Sequence, residues 1–135
     1  MAGVRVELIK EAEEDLERYV ASGRIQDFLA KLVRIEDHGL DAGQPLGRNL
    51  TNWRKIVVGD RNWRIVYTVD PANAVATVCV IGDRDDDQCY KEAQSRLDNF
   101  GDKAPQGATL ASVMLKIVQA DRQAKRQAKK GKKKH

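Results

Sequence analysis

The sequence predicts an α+β fold: an antiparallel sheet with two N-terminal helices packed on one face, a helix after the sheet, and a C-terminal helical extension. Three observations carry this. Three β-rich runs follow one another across short turns between Trp53 and Ile81. Two amphipathic helical stripes, broken by Gly23, precede them. A third stripe, led by aspartates, follows them. Connections this short, between runs rich in β-branched residues, favour a meander over crossovers.

Taken in order, Val4 to Ile9 alternates apolar and polar residues at its start and reads as a strand. Lys10 to Ser22 reads as a helix, because Ala12, Leu16, Tyr19 and Val20 fall on one face. Its early acids, Glu11, Glu13, Glu14 and Asp15, sit where the helix dipole favours negative charge. A second helix, from about Arg24 to His38, carries the stripe Ile25, Phe28, Leu29, Leu32 and Ile35, and Gly39 stands where a helix-ending glycine belongs. Asp41 to Asn52 is a loop punctuated by Gly43, Pro45 and Gly47. The strands follow at 53–58, 62–70 and 74–81. The last is apolar on both faces, which places it centrally. Asp85 to Leu97 is a third helix. Residues 101–107 are a linker, and a fourth helix at about 108–123 carries Leu110, Val113, Met114 and Ile117. That stripe reads as an intramolecular docking face or as a partner groove. The last ten or so residues read as a disordered basic tail.

The length of 135 residues suits one packed domain, and 5% aromatic content predicts an aliphatic core. No apolar run reaches the roughly 18–20 residues of a membrane span, and Met1 to Lys10 lacks the apolar centre of a secretory signal. A cytoplasmic location without a membrane partner is the expectation. Cys79 and Cys89 have neither disulfide-framework nor zinc spacing, and two histidines make no metal site, so no metal or other cofactor is expected. The net charge of +4 is the sum of two unlike parts. Residues 1–98 hold 14 Lys+Arg against 18 Asp+Glu, a net of −4, and residues 99–135 hold 10 Lys+Arg against 2 Asp, a net of +8. This excludes a uniformly basic nucleic-acid-binding domain and leaves an acidic body with a basic arm.

The order strand, helix, helix, meander, helix appears together with Trp53-Arg-Lys-Ile56, Trp63-Arg-Ile-Val-Tyr67, Val80-Ile-Gly-Asp-Arg84, Tyr90-Lys-Glu-Ala93 and Arg96-Leu97. In these features the chain resembles the RelE/ParE superfamily of toxins from type II toxin–antitoxin pairs, over about residues 4–98. The Gly82-x-Arg84 step, with Tyr90 six residues on, looks like the RelE branch, whose members cut messenger RNA. The resemblance implies a toxin domain at 1–98 and an added extension at 99–135. It further implies a ribosome-dependent, metal-independent endoribonuclease acting on mRNA, with a cognate antitoxin, the ribosome and mRNA as partners. In such enzymes the substrate's own 2′-hydroxyl attacks the adjacent phosphate. The protein orients that attack, stabilises the phosphorane and assists the leaving 5′-oxygen.

Carried over residue by residue, the resemblance gives Lys55 a catalytic role on the first meander strand and places Arg64 at the scissile phosphate. Arg84 supports the phosphate or leaving group, and Tyr90 stacks on a base and takes part in proton transfer. Where the family often has a second base two positions after Lys55, this chain has Val57. The chemistry fits the residue types. Arg offers a planar fork that stays protonated. Lys and Tyr titrate near 10 in isolation, and clustered cations lower both.

Plainer readings stand beside these. Lys55 and Arg64 are also what a solvated strand or a cross-strand ion pair contains, Arg84 has aspartates at 83, 85, 86 and 87 for salt bridges, and Tyr90 also suits packing on the sheet. The aspartates read as dipole-favoured capping rather than metal ligands. Cys79 reads as a core residue and Cys89 as partly exposed. Two other functions remain open: a ParE-like inhibitor of DNA gyrase, and a catalytically degenerate toxin-fold binding module.

Overall fold

The computed structural model describes residues 3–20, 22–46, 52–59, 63–83, 85–101 and 107–132, with the side chains of 124 and 127–132 excepted. The elements are β1 (Arg5–Leu8), α1 (Lys10–Glu17), α2 (Ile25–His38), a 3-10 turn (Gly39–Ala42), β2 (Gln44–Pro45), β3 (Trp53–Val58), β4 (Trp63–Asp70), β5 (Val75–Gly82), α3 (Asp86–Asp98), β6 (Ala108–Thr109) and α4 (Leu110–Lys132). The α+β architecture is as the sequence predicts, with one sheet in the order β2-β3-β4-β5-β1-β6.

The meander β3-β4-β5 is antiparallel throughout, but β1 joins β5 in parallel, so the sheet is mixed. Parallel pairing follows from the path: the chain leaves β1 through the two helices and reaches β5 only after the meander, and nothing local to β1 encodes that partner. The strand β5 lies inside the sheet and is buried over almost its whole length, which its two apolar faces require.

The sheet's two faces have different tenants. Cross-strand pairs Ile56–Ile65 and Val58–Trp63, together with Tyr67, form the face that receives α2. Phe28 of α2 lies against Trp63, with ring centroids 5.9 Å apart, and Tyr19 stacks on Phe28 at 4.3 Å. The Tyr67 hydroxyl donates to the carbonyl of Gly39 at 3.0 Å. Gly39 has φ +60°, a left-handed conformation that ends α2 without a Cβ clash. At Gly43 a Cβ would lie 2.6 Å from the Lys55 carbonyl oxygen, so only glycine lets β2 close on β3 here.

The opposite face receives α3. Its buried residues Cys89 and Ala93 sit on the sheet, so Cys89 is a core thiol rather than a partly exposed one. Beyond Val78, β5 has no strand on the β1 side, because β1 has already turned into α1. Side chains take over that edge. The Ile81 amide donates to Asp15 Oδ2 at 3.0 Å, and Arg96 Nη1 donates to the Cys79 carbonyl at 2.8 Å and to Asp15 Oδ2 at 2.7 Å. This ion pair ties α1 and α3 to the sheet edge. Asp15, read from sequence as one of several dipole-favoured acids, is 1% exposed.

The extension departs from expectation in three ways. Residues 108–109 form a short strand against β1 before any helix begins. The helix then runs to Lys132 rather than stopping near 123, so the stretch expected as a disordered tail continues as helix as far as Lys132. Ala, Gln, Lys and Arg are all strong helix formers, which lengthens a helix without help from packing. Leu110, Val113 and Ile117 are buried, so the apolar stripe docks within the molecule.

Candidate functional site

Alternation along β3 puts Lys55 on the α3-side face together with Val57, and Arg54 and Ile56 on the other. The register pairs Val57 with Arg64 and Lys55 with Val66. Lys55 and Arg64 are therefore diagonal neighbours on one face of two adjacent strands. Two like charges so placed need an anion, and α3 supplies it. Asp86, in the first turn of α3, hydrogen-bonds Lys55 Nζ through Oδ2 and lies 2.7 Å from Arg64 Nε through Oδ1. The carboxylate bridges the two cations with both of its oxygens. The side chains of Lys55, Arg64 and Asp86 are 18%, 22% and 34% exposed, so the cluster is sheltered yet open at its rim.

Tyr90 lies one turn after Asp86 on the same side of α3. Its ring meets Trp53 edge-on, with centroids 5.6 Å apart. Trp53 opens β3 on the same face as Lys55, so the Tyr90–Trp53 pair borders the cation cluster. Of the four residues singled out from sequence, the structure thus brings three, Lys55, Arg64 and Tyr90, to one face. The fourth, Arg84, lies outside the described residues.

The aspartates that lead α3 divide their work. Asp85 is the N-cap, its side chain accepting from the Gln88 amide at 2.8 Å. Asp87 pairs with Lys91 on the helix surface at 3.1 Å. Asp86 does neither, and its role was missed from sequence because three consecutive aspartates read alike. The usable signal was spacing, since Asp86 and Tyr90 are four residues apart and share a face. Among the described residues no group of three or more His, Cys, Asp and Glu is placed to hold a metal ion.

A groove of about 400 Å³ continues from this cluster around the outer edge of β3, lined in part by Lys31 and Arg34 of α2, Gln44 and Lys55. Among the described residues its lining holds three cations and no carboxylate. Buried beneath it, Tyr67 is pushed up from 10.0 to about 12, chiefly by burial. That keeps it a neutral structural hydroxyl rather than a base.

A mutant of the E. coli toxin RelE in the free state superposes with a TM-score of 0.57 at 23% identity, covering 72% of this chain and 99% of that one. The isolated E. coli RelE toxin superposes with a TM-score of 0.50 at 24% identity, covering 71% of this chain and 99% of that one. The chain has the fold of RelE toxins. A toxin–antitoxin complex from Mycobacterium tuberculosis, RelBE2, is more distant, with a TM-score of 0.49 at 16% identity over 62% of this chain and 100% of that one. No family model and no curated protein matches the sequence. The RelE-type fold accounts for the strand, helix, helix, meander, helix order. Among the described residues, no helix of this chain is long and apolar enough to cross a membrane.

Proposed function

We propose that this chain is the toxin of a type II toxin–antitoxin pair and acts as a metal-independent endoribonuclease on ribosome-bound messenger RNA. The observation that carries the reading is the pairing of Lys55 and Arg64 on one sheet face around the Asp86 carboxylate, with Tyr90 one helical turn from it. Two cations converging on a bridging carboxylate are built to hold a phosphodiester, which offers two non-bridging oxygens of like charge. The RelE-type fold supports the same reading.

In this mechanism the nucleophile is the substrate's 2′-hydroxyl. Arg64 grips the scissile phosphate and stabilises charge as the phosphorane forms. Lys55 neutralises the same phosphate; as the 2′-oxygen bonds to phosphorus its proton passes to solvent, and as the bond to the 5′-oxygen breaks that oxygen takes a proton from the Lys55 ammonium. Tyr90, braced by Trp53, stacks on a base and fixes the nucleotide for in-line attack. Arg84, which stands in the sequence between the end of β5 and the Asp85 cap, supports the leaving 5′-oxygen. The Lys31–Arg34 groove carries the flanking RNA backbone toward Lys55. A cognate antitoxin holds the toxin inactive.

Induction of this chain alone in a bacterial host tests the reading. Growth arrest with messages cut inside codons is the expected result, relieved by co-expression of the antitoxin. Unchanged growth with intact messages contradicts it, and accumulation of gyrase–DNA cleavage complexes would assign a ParE-like activity instead.

A further inference from the structure

We propose that Asp86 is a built-in competitor for the phosphate seat: its carboxylate occupies the place of a substrate phosphate between Lys55 and Arg64 and must yield before RNA binds. This rests on the reading that Lys55 and Arg64 hold an RNA phosphate. The geometry points to it in four ways.

First, Asp86 engages both cations, one through each carboxylate oxygen, as a phosphodiester's two non-bridging oxygens would. Second, the helix does not need Asp86 as a cap, because Asp85 already accepts the Gln88 amide at 2.8 Å. Third, the charges do not admit both anions. Lys55 and Arg64 against Asp86 leave one net positive charge, and a phosphate entering beside a fixed carboxylate meets like charge in a sheltered site. Fourth, the helix is held at its other end. Arg96, in the last turn of α3, is fastened to Asp15 and to the Cys79 carbonyl, whereas the first turn is 34% exposed at Asp86. The carboxylate can therefore swing to solvent while α3 stays on the sheet.

The free chain is thus a closed form, and the threshold for RNA entry is set by one side chain. Asp86→Asn keeps the shape and removes the charge. Binding of the full chain to a short 2′-O-methyl RNA, whose blocked nucleophile prevents cutting, is measured by titration calorimetry. The expected result is about tenfold tighter binding for Asp86→Asn than for wild type. Asp87→Asn, the same charge change on the exposed side of the helix, should stay within about threefold of wild type. Binding by Asp86→Asn that is equal to or weaker than wild type, or a gain matched by Asp87→Asn, overturns the proposal. Asp86→Ser repeats the test if the asparagine variant melts early. Cutting of ribosome-bound messages is read separately. If the affinity gain holds but neither protein cuts RNA, the nuclease reading fails and the internal competitor stands. If both cut and no gain is seen, only the competitor fails.

Discussion

Tyr67 and Cys79 are buried acids whose protonated forms the fold requires. Burial pushes Tyr67 from 10.0 to about 12 and Cys79 from 9.0 to about 12. A folded value above the unfolded one means that the protonated form is favoured by folding. Its contribution is complete below the unfolded value and is lost as pH rises toward the folded one. Stability should therefore fall from about pH 9 upward, with the tyrosine's share, on the order of 2 kcal/mol, lost between about pH 10 and 12. Tyr67→Phe should flatten that part of the curve in denaturant unfolding at stepped pH, and an unchanged slope would contradict the assignment. At the site, Lys55→Ala and Arg64→Ala should each slow RNA cutting by about 10²–10³-fold, the scale of losing one preorganised charge donor. Both side chains sit at a partly open rim, so melting curves should move little. Strand alternation made the shared face of Lys55 and Val57 legible in the sequence, but not the partner. Asp86 was hidden among three aspartates whose separate duties, cap, bridge and surface pair, depend on which way each points once α3 has docked.

The elements that local pattern encodes were legible, and those that distant contacts create were not. The stripe Phe28, Leu32, Ile35 and the β-branched runs of β3, β4 and β5 specify their own structure, and they appear within a residue or two of expectation. The two-residue strands β2 and β6 carry no period to read and exist because β3 and β1 offer them an edge. The parallel seating of β1 on β5 depends on a partner some 70 residues away in the chain. The clamp of Asp15 and Arg96 belongs to the same class. It joins α1 to α3 and closes the open edge of β5, with side chains 1% and 13% exposed. Burial opposes the charge on Arg96, but the hydrogen bonds and charge of Asp15 outweigh it and hold the guanidinium more firmly protonated than usual. Removing Asp15 takes away the buried partner, leaves the Ile81 amide without its acceptor and leaves Arg96 to Glu92, 2.9 Å from Nη2, so Asp15→Ala should cost about 3 kcal/mol. The double variant Asp15→Leu with Arg96→Met should recover part of that loss. A thermal melt in which the single variant matches wild type would show the clamp to be idle.

The whole molecule sets an acidic body of net −4 against an extension of net +8, within which α4 runs as far as Lys132. RNA affinity comes largely from phosphate neutralisation with release of counterions. Removing residues 124–135 takes away seven Lys and Arg and leaves the buried Leu110, Val113 and Ile117 in place. The truncated protein should fold as before and bind ribosomes more weakly. The slope of log affinity against log salt should fall by about 0.7–0.9 for each lost phosphate contact. An unchanged slope would make the basic end a bystander. The central claim, that Lys55 and Arg64 form the phosphate seat of a ribosome-dependent nuclease, is tested most directly by primer extension on a defined message in a reconstituted translation reaction. Wild-type protein should leave cuts within codons only when ribosomes are present, and the folded double variant Lys55→Ala, Arg64→Ala should leave the message whole. Cuts of equal strength from the double variant, or an intact message with wild type, would contradict the account.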